Sequence, residues 1–433
     1  MAVQARIDVS HGAGLESRLM PLRDEAIASW RATAADLPSF GPITTWRTRW
    51  ANARATRRLI DDVAARVETY PADEASRVAW RDSLRAALQA FGETRFGWPG
   101  GYRRLLFGDA FYESAVDFAR RARAFDPSLS LDDLWQALRN VWIGNSLQML
   151  LCRPVTLTQG LFAYSMLYPV TDNLLDAPGL SATDKRVFNE RFGRRLLGER
   201  LSPRTESETR AFTLVGQIEE DFPREGYPDV WASVLAIHRG QIASLRQQRP
   251  QVLSEATLLD ISVTKGGASV LADLYLVAGD ANPAEERFAF GYGVFLQLLD
   301  DLQDVQTDLE TGHQTLVTVA ARRGSLDAIT SQLGRYMDAV LDGTPSFGSR
   351  EHADSIDLIR RNCRSLLVGV MAELPARFTR GFRRSVETRW PIRFAAMRRL
   401  RRHAQRRFTA TAEHVRSRHD GKSPLELMLD ASA

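Results

Sequence analysis

The chain has 433 residues, 44% hydrophobic and 25% charged, a balance that supports one large buried core or two ordinary ones. Its two cysteines, Cys152 and Cys363, exclude a disulfide framework and a cysteine-rich zinc site. A net charge of +4 conceals a local excess of arginine near the C-terminus, so whole-chain charge names no partner and gives no support to nucleic-acid binding.

The opening residues, MAVQARIDVSHGAGLESRL, lack the apolar centre of a signal peptide, and no later stretch reaches about 18 uninterrupted apolar residues. The expectation is a cytoplasmic protein that is neither secreted nor membrane-spanning. Seven histidines are scattered without HExxH-like spacing, which gives a histidine-bound transition metal no support. Apolar residues recur at three- and four-residue spacing through most of the chain, with no alternating runs, so the predicted class is all-α. Turn chemistry breaks the pattern at FGWPGG, FDPSLS, DAPGLSATD, LSPRTES, DFPREGYPD, GDANP and LDGTPSFGS. SLSLDD, LSATDK and TPSFGS place N-cap residues ahead of periodic runs. The division this suggests is an N-terminal helical extension over 1–95, a catalytic core over 96–325 and C-terminal helices over 326–433.

The first acidic cluster follows a long apolar segment in LFAYSMLYPVTDNLLDAPG, where Asp172 and Asp176 share a helix face with Asn173 between them. Alone, such residues beside a Pro-Gly break read as caps or turns. A Gly240-Gln241 pair and Thr264-Lys265-Gly266 come next, and then FLQLLDDLQDVQTDLETGHQTL. On a helix, Asp300, Asp304 and Asp308 fall on one stripe, with Asp301 beside them. Like charges at that spacing repel, and hard carboxylate oxygens suit magnesium bound to substrate phosphates. The plainer reading is a solvated acidic face. Against it, the apolar run before Asp300 predicts a buried helix, where uncompensated carboxylates are costly. Facing each other in a helical bundle, the two clusters would make a divalent-metal cleft for a diphosphate.

Over residues 100 to 320 these motifs resemble the polyprenyl synthetase and class I terpene synthase superfamily. Asp300-Asp301-Leu302-Gln303-Asp304 is similar to the second aspartate-rich motif, with Gln297 before it and Asp308 and Gly312 after it. DNLLD resembles the first motif, with Asn173 replacing the usual second Asp, and Lys265 lies 93 residues after Asp172 and 35 before Asp300, near the family's intervals. The resemblance implies an all-α class I terpenoid synthase bundle in which Asp172, Asp176, Asp300, Asp301 and Asp304 hold Mg2+, three ions in all. It further implies that Lys265, Asn173, Gln241, Gln297 and Asp308 serve an allylic prenyl diphosphate. Tyr168 and Phe295, with Phe162, Tyr164, Met166 and Tyr292, are candidates to line an apolar pocket that stabilises a carbocation; core packing is the alternative for each.

The sequence departs from the chain-elongating members. Gly100-Gly101-Tyr102-Arg103-Arg104 only loosely echoes their first basic segment and lies far ahead of Asp172, and no RRG follows DNLLD. Lys185, Arg186, Arg194 and Arg195 either replace those charges or are ordinary solvated residues. The leading expectation is therefore a terpene cyclase that releases pyrophosphate. The alternatives are a chain-elongating prenyl diphosphate synthase and a catalytically silent helical subunit. Near the C-terminus, Trp390, Phe394, Met397, Leu400, Ala404 and Phe408 form one stripe among arginines, which either packs on the helical body or makes a peripheral contact of 390–408 with an anionic membrane. A homodimer is a further partner open at this stage.

Overall fold

The computed structural model describes residues 14–71, 73–102, 105, 108–176, 181–248, 250–344, 350–419 and 421–430. Among them the protein is all-α, with eighteen α-helices, two single 3-10 turns and no strand. In chain order these are α1 (Leu15–Ala32), α2 (Trp46–Glu68), α3 (Glu74–Phe96), α4 (Asp109–Phe125), α5 (Leu131–Leu150), α6 (Gln159–Asp176), α7 (Ala182–Leu196), α8 (Glu206–Asp221) and α9 (Pro228–Ser244). They continue with α10 (Glu255–Ala278), α11 (Pro283–Gln303), α12 (Val305–Thr311), α13 (Leu316–Arg323), α14 (Asp327–Asp342), α15 (Arg350–Glu373), α16 (Arg380–Glu387), α17 (Phe394–Arg418) and α18 (Pro424–Asp430).

Two of the three predicted helix starts carry side-chain caps. Ser130 accepts from the Asp133 N–H at 3.1 Å, and Ser181 closes a full capping box with Asp184. Each such cap contributes about 1 kcal/mol. The third, TPSFGS, falls largely outside the described residues.

The helices gather into two compact units that interleave along the chain. The first takes its described residues from 14–32, 158–298 and 312–315. Its central element is α10, the one described helix long and apolar enough to cross a membrane, with 72% of its most apolar window buried inside the protein. A helix apolar on all sides needs neighbours all round, and α9, α6 and α1 pack against it. Glycines permit the closest approaches. A Cβ on Gly240 of α9 would stand 2.9 Å from the Lys265 Cα of α10, and one on Gly293 of α11 would stand 2.1 Å from the Gly266 carbonyl oxygen. The α1 helix is tied in by Arg18, which bonds the buried Glu286 at 2.7 Å and Asp229 at 3.2 Å. That pairing and the hydrogen bond to Tyr275 raise the Arg18 pKa further.

In the second unit, α17 lies along α2 and also meets α15. Phe394, Ala396, Thr411 and Val415 of α17 are buried, and Met397, Leu400 and Ala404 are half-buried. Arg407 pairs with Glu68, and His403 meets Asp61 at 2.7 Å. The stripe expected to face either the body or a membrane is thus largely used in packing. Of its members only Phe408 is clearly exposed, so 390–408 offers a lipid surface arginines without a free apolar face.

Candidate functional site

In the first unit, the segment ahead of the first acidic motif is a core helix with one polar-edged opening. Phe162 and Met166 of α6 are fully buried, and Phe295 of α11 is fully buried with its ring parallel to that of Tyr292 at 6.4 Å. These side chains pack in the interior. Tyr164 and Tyr168 differ. The Tyr164 hydroxyl donates to the Ser269 carbonyl at 3.0 Å, and its ring meets Tyr168 edge-on at 6.1 Å. Burial, then the neighbouring Tyr168 and Asp273, push the Tyr164 pKa well up. Both tyrosines line a pocket of about 50 Å³ whose other walls include Thr171, His238 and Gln241. That volume suits one or two waters.

His238 and Asn189 were not anticipated from sequence. His238 lies one helical turn before Gln241 on α9, a spacing that places both on the same face. Its Nε2 lies 3.2 Å from the Asn189 carbonyl, and burial lowers its pKa to about 4, so the ring is neutral near pH 7.

Three residues named from the motifs are brought together by the glycine contacts. Gly240 seats Gln241's helix against Lys265, and a Cβ on Gly266 would stand 2.5 Å from the Gln297 Cβ. Lys265 and Gln297 therefore stand at the crossing of α9, α10 and α11, and Gln241 is the next residue along α9 from the glycine that forms it. Behind it, Gln314 is clamped by four hydrogen bonds of 2.9 to 3.0 Å to Gln247, Gln251 and Leu253. The clamp fixes His313 close enough to Lys265 that burial and the Lys265 charge both lower the His313 pKa. His313 was visible in the sequence only as part of GHQTL following the acidic run.

The side chains of Asp172, Asn173 and Asp176 lie outside the described residues. Among those described, no group of three or more His, Cys, Asp or Glu is gathered for a metal.

The second acidic motif falls in the second unit from Leu299 onward, and here two expectations change. The acidic run is not one straight helix, because α11 ends at Gln303 and a bend at Asp304 precedes α12. The stripe nevertheless survives, since the Asp304 N–H donates to the Asp300 carbonyl and the Asp308 N–H to the Asp304 carbonyl, each at 2.9 Å. Nor is the whole cluster buried. Leu299, Leu302 and Val305 occupy the inner face, which leaves Asp300 and Asp304 exposed and Asp308 half-buried; only Asp301 is enclosed, at 7% exposure. The outer pair is thus only partly enclosed, and at Asp304 partial burial and repulsion by Asp300 act together. Surrounding protein and then the Asp300 charge raise the Asp304 pKa, and Arg139 offsets this only in part. Among the described residues, neither Asp300 nor Asp304 has an ion pair or a side-chain hydrogen bond. Two exposed, mutually repelling carboxylates without a bonded cation have the donor chemistry of a hard divalent ion.

No family model matches the sequence, and no curated protein matches it. Among solved structures, a polyprenyl synthase from Caulobacter crescentus CB15 complexed with calcium and isoprenyl diphosphate aligns over 97% of this chain and 98% of its own at 15% identity, with a TM-score of 0.26. A likeness of that kind carries no functional argument, and the functional reading rests on this chain's own residues.

Proposed function

We propose that the protein is a magnesium-dependent class I terpene synthase acting on an allylic prenyl diphosphate. The observation that carries this reading is the exposed Asp300–Asp304 pair, one turn apart and, among the described residues, without an ion-pair partner. Asp300, Asp301 and Asp304, with Asp172 and Asp176, would hold Mg2+, whose charge when bound offsets that accumulating on the departing diphosphate. The Lys265 ammonium supplies a further positive charge for the diphosphate oxygens, and the Gln241, Gln297 and Asn173 amides orient it, with Asp308 at the edge of the motif. His313, held neutral, adds no competing charge beside Lys265. Tyr164 and Tyr168 present aromatic faces, which stabilise a nearby carbocation. Because their pocket is only about 50 Å³, a prenyl chain enters it only if the half-buried Tyr168 side of the wall moves outward.

Cyclisation is favoured over chain elongation by one further observation. Arg194 and Arg195, basic residues that follow DNLLD, are bound to Glu199 at 2.6 Å and Glu219 at 2.5 Å. These two of the four basic residues after DNLLD are thus engaged with carboxylates of this chain, which counts against their holding a second diphosphate. The test measures magnesium-dependent pyrophosphate release from C10, C15 and C20 allylic diphosphates, with and without isopentenyl diphosphate. The expected result is a hydrocarbon or alcohol product without isopentenyl diphosphate, and a loss of roughly a hundredfold or more in Asp300→Ala and Asp304→Ala with an unchanged melting temperature. Longer prenyl alcohols formed only with both substrates would establish the elongating synthase, and no release under any condition the silent subunit.

A further inference from the structure

A second, larger cavity lies in the other unit, and none of the motif residues lines it. Tyr70 and helices α3 and α4 enclose about 380 Å³, within the range of roughly 300–1,000 Å³ usual for small-molecule pockets. Three aromatic rings contribute to its wall. Tyr70 and Trp80 meet edge to face at 5.0 Å, and the Trp80 indole N–H donates to the Arg66 carbonyl at 2.9 Å, so this wall is fixed in advance. The third ring, Tyr112, has two guanidinium groups near its face, Arg81 at 5.1 Å and Arg85 at 5.4 Å.

The two arginines are in different situations. Arg85 is bound to Asp109 at 2.6 Å, so its charge is largely offset. Arg81 has no carboxylate within ion-pair distance among the described residues; its Nε, like the Arg85 Nη2 and the Arg120 Nε, is buried without a hydrogen-bond partner. A guanidinium without an ion-pair partner matches the two oxygens of a carboxylate. The remaining charges of the lining select the ligand further. Arg77, Arg81 and Arg120 face Glu113 and Asp117, which leaves one net positive charge. A singly charged anion is matched by that balance, whereas a diphosphate would meet the two lining carboxylates.

We propose that this cavity is a binding site for a small organic carboxylate with a flat or branched apolar body, anchored through its carboxylate by Arg81 and held against the Tyr112, Trp80 and Tyr70 rings. The site is separate from the diphosphate chemistry and stands whether or not that reading holds.

The probe is 2-naphthoate, titrated calorimetrically into the full-length protein, with 2-naphthalenemethanol as its uncharged counterpart. Saturable binding of 2-naphthoate is expected, weaker by roughly tenfold or more for the alcohol and for Arg81→Gln, since each removes the charge-assisted pair. Val116→Trp, which fills the cavity while keeping Arg81, is expected to abolish binding, and circular dichroism checks that both variants remain folded. Competition by inorganic pyrophosphate is expected to be absent. The proposal is overturned if 2-naphthoate does not bind, if Val116→Trp binds it as the unmodified protein does, if the alcohol binds equally well, or if pyrophosphate displaces it.

Discussion

The crossing of α9, α10 and α11 and the pairing of α2 with α17 are both long helix contacts, yet they are built by opposite means. At the crossing, glycines bring backbones together; Gly266 and Gly293 leave no room for even one methyl group. Along α2 and α17, partly exposed charges meet, with Arg407 on Glu68 and His403 on Asp61. Direct backbone contact fixes position to a fraction of an ångström, whereas surface ion pairs tolerate movement. The groups named for diphosphate binding, Gln241, Lys265 and Gln297, stem from the first kind of contact, as a preorganised site requires.

The largest expected effect tests that rigidity. Gly293→Val puts side-chain atoms where the Gly266 carbonyl stands, and the loss of stability should be about 3 kcal/mol or more, or failure to fold. Chemical denaturation measures it, and a fully stable variant would show that the crossing can open.

A pH effect comes next and belongs to the same region. His238 is held neutral with a pKa of about 4, against 6.5 for the free side chain, so the unfolded chain takes up its proton first as pH falls. Its contribution is fully present above about pH 6.5 and is progressively lost as the pH falls towards about 4, a change on the order of 3 kcal/mol. His238→Gln should flatten that part of the stability profile. An unchanged profile would mean that other groups produce it.

The smallest effect is expected at the ion-paired contact. Arg407→Ala removes a partly exposed pair with Glu68 and should cost less than about 1 kcal/mol, decreasing further in salt. A loss comparable to that of Gly293→Val would erase the distinction between the two regions.

The all-α class was legible because apolar periodicity is local, and the caps at Ser130 and Ser181 were legible for the same reason. Spacing also gave the Asp300, Asp304 and Asp308 register correctly, since it depends only on helical geometry. Their exposure was not legible. An apolar run shows that a helix has an inner face but not how far round the neighbours reach, and here Leu299 and Leu302 turn inward while Asp300 faces solvent. Gly240 was noticed as half of a motif, but its steric purpose depends on Lys265, which is distant in sequence. Arg81 gave no signal at all, because an arginine lacking a carboxylate partner is defined by what folds around it.

The pairing of Arg18 with Glu286 spans 268 residues and has a consequence during synthesis. The apolar face of α1, with Leu15, Leu22, Ala26 and Trp30, leaves the ribosome long before α9 and α10 exist to cover it. At 5–20 residues per second the delay is on the order of 10–50 s, far longer than hydrophobic collapse takes. The first unit therefore closes late, around a helix made early, and nascent α1 is a natural site for a chaperone to hold.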